Sequence, residues 1–281
     1  MLNKILNFQT KTITFAAFLL FASAFFSRIL GLVRDRLLAG HFGAGAELDV
    51  YFAAFRIPDL IYGILIIGGI SAAFLPIFSE YFKKNQKEAW ELVNNILNTF
   101  LVLLIFICFV LFIFTPQIIR FIVPGFSVIQ ISLTVALTRI MLLSPIFLGI
   151  SSIFSGVLQY FNRFLIYSLA PIFYNLGIIF GILFLVPTFG LMGLSYGVVL
   201  GAFLHLFIQF LGVKSSGFKY RSIFNFKYPG LIKIFKLMIP RTIGQIAYHL
   251  NFIILTAIAS GLAIGSISIF NFSNNLQYFP I

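Results

Sequence analysis

The stretch SRILGLVRDRLLAGHFGAGAELDVYFAAFRIP, residues 27–58, decides how this chain is read. It sets Arg28, Arg34, Asp35, Arg36, Asp49 and Arg56 beside or within apolar sequence. Lipid rejects such charges unless they face other helices or a water-filled cavity. At about 100° per residue, Ser23, Ser27, Arg28, Gly31, Arg34 and Asp35 fall within a wedge of about 140° on one helix. Phe25, Phe26, Ile29, Val33 and Leu37 take the opposite side. A membrane helix with a polar seam of this kind lines something. A snorkelling helix end accounts equally well for Arg36, but less well for Arg28, about two turns deeper.

Composition supports a membrane reading of the whole chain. Of 281 residues, 60% are hydrophobic and 9% charged, against about 25% charged in soluble domains. The 38 phenylalanines suit lipid-facing surfaces and argue against a soluble α/β core. A net charge of +12 would suggest nucleic acid in a soluble protein. Here the basic residues cluster between apolar runs, where the membrane's own charge rule explains them, and no nucleic-acid partner is expected. Cys108 is the single cysteine and lies within LVLLIFICFVLFIF, so neither an internal disulfide nor a CxxC site is possible. His41, His205 and His249 have no paired ligand spacing and read as packing or interfacial residues. There is no GxSxG, Walker loop, HExxH or strand-bound GxGxxG, and seven acidic residues leave little room for paired-carboxylate catalysis. Neither an enzyme nor a cofactor is expected. The glycine-rich FGAGA, residues 42–46, joins two membrane helices and reads as a turn.

At about 20 apolar residues per crossing, the chain divides into runs near 13–39, 47–82, 89–115, 129–160, 164–186, 191–212 and 238–260, with an eighth opening after residues 261–265. Lys4 and Lys11 precede the first run, and Ala22-Ser23-Ala24 imitates a signal-peptide cleavage site. The polar seam continues in phase from Ser23, so the first helix is read as retained. The second run exceeds one crossing and contains Pro58 and Gly68-Gly69, which predict breaks. Trp90 opens the third run, where an interfacial aromatic belongs. This gives a six-helix lobe over residues 1–213, a basic cytoplasmic loop over 214–237, and the first helices of a second lobe over 238–281. The eighth run meets FPI with no polar cap, which predicts a native chain continuing past Ile281. With the N-terminus inside, the cytoplasm receives Lys4, Lys11, Lys83, Lys84, Lys87 and Arg163. It also receives Lys214, Lys219, Arg221, Lys227, Lys233, Lys236 and Arg241, so the positive-inside rule selects that orientation.

The remaining chemistry is buried cationic charge. Arg28 and Arg34 present guanidinium forks suited to phosphate or carboxylate. In the second helix Asp49, Arg56 and Gly63 share a face, with Asp59 about 60° from Arg56 and spaced to pair with it. Two readings follow. Either the Asp/Arg set is a neutralised network that locks helices together, or a cavity with surplus positive charge receives an anionic head group near the midplane.

These residues also carry a family resemblance. Ser27-Arg28-Ile29-Leu30-Gly31, Arg34-Asp35, Phe42-Gly43-Ala44-Gly45, Asp49 and Ala73-Phe74-Leu75-Pro76 resemble the MurJ/MviN family of lipid II flippases, within the multidrug/oligosaccharidyl-lipid/polysaccharide (MOP) exporter superfamily. VPGF at 123–126, YFNRF at 160–164 and LAP at 169–171 extend the resemblance over essentially the whole chain. It implies an all-α, polytopic transmembrane helical bundle in the bacterial inner membrane, here the N-terminal lobe plus the start of the second. It further implies movement of the undecaprenyl-pyrophosphate-linked peptidoglycan precursor, lipid II, from inner to outer leaflet by alternating access. Lipid II or a related polyprenyl-pyrophosphate glycolipid would be the substrate, with membrane lipids around it. Arg28, Arg34, Asp35 and Asp49 fall on family positions for head-group binding, and Ser27, Gly31 and Arg56 complete the expected site. Three family charges read differently here: a helix-two arginine falls on Tyr62, a glutamate on Ile67, and a helix-eight arginine on Asn275. Each remaining guanidinium is therefore expected to matter more, Arg28 most of all. The rival readings are an exporter of another polyprenyl-linked glycan and a non-transporting scaffold with a closed, charge-neutral interior.

Overall fold

The structure, a computed structural model, describes residues 8–10 and 12–277. Among them every regular element is helical. Helix α1 spans Ile13–Phe42, and α2 runs through four pieces, Ala46–Ala54, Arg56–Ile61, Tyr62–Ile70 and Ser71–Lys84. Helix α3 is Gln86–Ile122, and α4 joins Val128–Met141 to Leu143–Tyr160. Helix α5 covers Phe164–Phe180, Gly181–Leu185 and Val186–Phe189, followed by α6 at Met192–Lys214, α7 at Pro229–Ser260 and α8 at Ser266–Gln277. Seven of these helices are long and apolar enough to cross a membrane, which makes this a multi-pass membrane protein. Lys4 and Lys11, counted for orientation, and the FPI end lie outside the described residues.

Local chemistry explains the ends and the breaks. Thr12 caps α1 by accepting a hydrogen bond from the Phe15 amide (3.3 Å), and Gly43 closes it at φ 66°. Prolines accompany the breaks at Phe55 and Leu142, Pro116 sits within unbroken α3, and each proline frees the carbonyl four residues earlier. Pro58 frees the Ala54 carbonyl, and Thr138 Oγ1 donates to it at 3.2 Å. Pro116 frees the Phe112 carbonyl, and Arg139 Nε donates to it at 3.2 Å, with the guanidinium 4.7 Å from the Phe112 ring. Pro145 frees the Met141 carbonyl, which accepts from Ser144 Oγ at 2.8 Å. Side chains thus supply the partners that lipid cannot. Arg139, a lone charge within an apolar run, completes the backbone of α3.

Helix α2 changes to π-helical winding over Tyr62–Ile70, where α7 packs against it. At Gly63 a Cβ would lie 1.7 Å from the His249 imidazole, so only glycine permits that approach. Helix α7 itself begins at Pro229, nine residues before the expected start, so the basic loop before it is only residues 215–228. Three asparagines of α3 hold that loop. Asn94 accepts from the Arg221 amide (2.7 Å) and donates to the Lys219 carbonyl (3.1 Å). Asn95 pairs with both backbone groups of Asn225, and Asn98 donates to the carbonyls of Arg221 and Ile223. Below them Trp90 stacks on Phe161 (6.0 Å) in an aromatic cluster with Phe78, Phe82 and Tyr160. Phe18, Phe21, Phe25 and Phe26 of α1 point outward, as lipid-facing residues should.

Candidate substrate cavity

All six residues of the α1 seam line open space. A cavity of about 520 Å³ takes Ser23, Ser27 and Arg28 on one wall, with Tyr62, Gln159 and Gln209 among its other walls. A second, of about 260 Å³, takes Arg28, Gly31, Arg34 and Asp35 together with Asn175 of α5 and Asn275 of α8. Arg28 lines both. At Gly31 an added Cβ would meet nothing within 4 Å, so its small size leaves room in the cavity rather than serving helix packing. Two further cavities continue the series. One, of about 240 Å³, includes Asp59, Tyr62, Tyr174 and His205, and the other, of about 210 Å³, includes Arg56, Asp59, His249 and Asn275.

Arg34 is balanced within this space. Its Nε and Nη2 donate to Asp35 Oδ1 at 3.0 and 2.8 Å, and its Nη1 donates to Asn175 Oδ1 at 3.3 Å. Asn275 Nδ2 donates to Asp35 Oδ2 at 2.9 Å, so α8 reaches across to α1. Asn175 Nδ2 also donates to Ser27 Oγ at 3.2 Å. Arg28 stands at the junction of two cavities, beyond this neutral pair. A planar guanidinium there suits a phosphate oxygen pair.

Two expected site residues are placed differently. Asp49 is 4% exposed and lines none of these cavities. Its Oδ2 accepts from the Gly265 amide (2.6 Å), and its Oδ1 accepts from the Ser268 amide and hydroxyl (2.8 and 2.7 Å). A carboxylate on α2 thus caps the start of α8, where amide donors lack helical partners and the helix dipole favours negative charge. Arg56 keeps one edge on a cavity, but its Nε donates to Thr256 Oγ1 (2.7 Å) and its Nη2 to Asn271 Oδ1 (2.9 Å). The expected Arg56–Asp59 pair does not form. Among the described residues the ion pairs are Arg34–Asp35, Lys84–Glu80 and Lys233–Glu80. Both residues sit on the one helical piece Arg56–Ile61 and edge the same cavity, but the Arg56 guanidinium is turned to Thr256 of α7 and Asn271 of α8 instead.

Sequence reasoning missed Asn175, Gln159, Gln209 and the paired role of Asn275. Amides inside apolar helices were the available signal. At the exposed end of α2, Glu80 accepts from Lys233 (2.5 Å) and Lys84 (3.3 Å), and these bonds hold its carboxyl below its ordinary range. No group of three His, Cys, Asp or Glu side chains among the described residues is placed to hold a metal.

Comparison with known proteins agrees with this geometry. Residues 38–281 match the family described as lipid II flippase MurJ. The chain is 35% identical over 261 residues to the probable lipid II flippase MurJ of Buchnera aphidicola subsp. Schizaphis graminum, covering 91% of this chain and 51% of that relative. It is 29% identical over 263 residues to lipid II flippase MurJ of Burkholderia cenocepacia, covering 90% and 51%. The chain therefore spans about half the length of the curated relatives it matches. A solved structure of lipid II flippase MurJ in an inward closed conformation superposes with a TM-score of 0.77 at 28% identity, covering 94% of this chain and 55% of that one. A MOP superfamily transporter from Pyrococcus furiosus shares the fold, with a TM-score of 0.74 at 16% identity over 99% of this chain and 62% of that one. The multi-pass helical architecture, the α1 motif and the family match agree: this chain belongs to the lipid II flippase MurJ family.

Proposed function

We propose that this protein moves lipid II from the inner to the outer leaflet of the bacterial inner membrane by alternating access of two lobes. The observation that carries the reading is Arg28 at the junction of two polar cavities on a helix whose other face meets lipid. That arrangement lets a pyrophosphate head enter while the polyprenyl tail stays outside along Phe18, Phe21 and Phe25. Arg28 grips the pyrophosphate, and Arg34 contributes through a fork that Asp35 and Asn175 keep oriented. Ser27 and Gly31 shape the wall between them. Arg56 contributes at the far cavity, and Asp49 supports the site by holding α8 in place. No covalent step is required of the protein.

Residues up to Lys214 act as the first lobe, 215–228 as its connector and the helices from Pro229 as the opening of the second. The N-terminus and the 215–228 loop face the cytoplasm, on the strength of their lysines and arginines. Single cysteines at Ser216 and Ala263 test this in intact cells. An impermeant reagent should label the second and spare the first, and the reverse result would overturn the orientation.

A second reading, export of another polyprenyl-linked glycan, draws support from Asn275, whose neutral amide meets Asp35. Complementation of a flippase-depleted bacterium with the full-length gene separates the two. Restored growth and shape are expected. Failure at normal membrane levels would reject lipid II as the cargo.

A further inference from the structure

The cavity of about 520 Å³ has a chemical division that the pyrophosphate does not use. Arg28 is the only Lys, Arg, Asp or Glu among the described residues that line it. Its other polar groups are hydroxyls, amides and one imidazole, contributed mainly by α4, α5 and α6. On α4, Ser152, Ser155 and Gln159 fall within about 60° of one another, so they share a face. On α6, His205 and Gln209 lie one turn apart and also share a face.

Part of this wall is fixed in advance. Ser155 Oγ lies 2.8 Å from Gln209 Oε1, and Ser151 Oγ lies 2.8 Å from His205 Nδ1. Other parts are unspent: the side chains of Tyr62, Gln159 and Tyr167 line the cavity and make no hydrogen bond to another described residue. Polar groups inside a membrane protein are costly to leave without partners. Neutral hydroxyl and amide groups that both donate and accept match the hydroxyls of a sugar, which do the same. A second anion would need a second cation here, and a purely apolar ligand would leave these groups unsatisfied. The volume lies in the range of sites for small ligands.

We propose that this neutral wall is a glycan-reading subsite, which holds the sugar next to a pyrophosphate gripped by Arg28. The inference rests on the lipid II reading and assigns the part of the head group that gives selectivity.

The test compares two probes on the protein in nanodiscs: undecaprenyl pyrophosphate, which has no sugar, and lipid II. The double variant Gln159→Ala/Tyr167→Phe removes side-chain groups without breaking any hydrogen bond among the described residues. It should bind lipid II about tenfold more weakly and undecaprenyl pyrophosphate as before. Arg28→Ala should weaken both. Tyr167→Phe alone, which keeps the ring, should show a smaller loss of the same selectivity if the double variant does not fold. Unchanged lipid II binding, or equal loss for both probes, would overturn the subsite while leaving the flippase reading intact. A wild-type protein that binds neither probe would overturn both.

Discussion

Helices α1 and α2 carry the same kinds of charge, and their charges meet opposite ends. On α2, Asp49 and Arg56 are buried and hydrogen-bonded to α7 and α8. On α1, Arg34 and Asp35 neutralise each other at a cavity wall, and Arg28 stands exposed between two cavities. Lipid forces every intramembrane charge to find a partner or to face open polar space. A buried charge with several fixed partners behaves as a joint between helices. One that also lines a polar cavity can be reached by a ligand. Asp49 and Arg56 of α2 thus join helices, while Arg28 of α1 lines two polar cavities.

The largest effect on stability should come from Asp49→Ala. It strips the acceptor from two backbone amides and a hydroxyl at the start of α8. Hydrogen bonds to charged groups contribute about 1.5–3 kcal/mol each and are not additive, so a total loss of about 3–5 kcal/mol is expected. Thermal unfolding in detergent should register it, with a several-fold fall in folded protein. A fully stable but inactive Asp49→Ala would return Asp49 to the substrate site.

Arg56→Leu should cost less, about 1–2 kcal/mol. Its partners keep other hydrogen bonds: Thr256 Oγ1 donates to the Phe252 carbonyl and Asn271 Nδ2 to the Ile267 carbonyl, both at 2.7 Å. A loss of transport per folded molecule larger than the loss of stability would show that the edge of Arg56 on its cavity matters more than its joint.

The smallest effect belongs to the exposed Glu80–Lys233 contact between α2 and α7. The folded carboxyl titrates below its ordinary value, so its contribution is complete above about pH 4.3 and fades as pH falls through the lower folded value. Glu80→Gln should therefore differ slightly from wild type in unfolding temperature at neutral pH and converge with it in acid. A difference that grows in acid would show that another group governs this end.

The helices were legible because apolar runs and polar breaks need no knowledge of partners. The α1 seam was legible for the same reason, since helical periodicity alone places Ser23, Ser27, Arg28, Gly31, Arg34 and Asp35 together. Partners distant in sequence were not legible. The spacing of Arg56 and Asp59 suggested a local pair, whereas Arg56 found Thr256 and Asn271, 200 and 215 residues away. Asp49 carried no mark of its capping role, because the amides it receives lie beyond α7. The start of α7 was hidden by Lys233 and Lys236, which made a basic helical stretch read as loop.

Arg28 is proposed to serve the ligand, whereas Asp49 ties α2 to the start of α8. Lipid II flipping per folded molecule, measured in reconstituted vesicles for Arg28→Ala and Arg28→Lys, tests the role of Arg28 most directly. Arg28→Ala should fold to normal levels and lose about tenfold or more of its activity, the loss of one charge-assisted contact. Arg28→Lys should recover little, because an ammonium lacks the planar fork. Wild-type flipping by Arg28→Ala, or a loss of activity that only mirrors a loss of folded protein, would contradict the account.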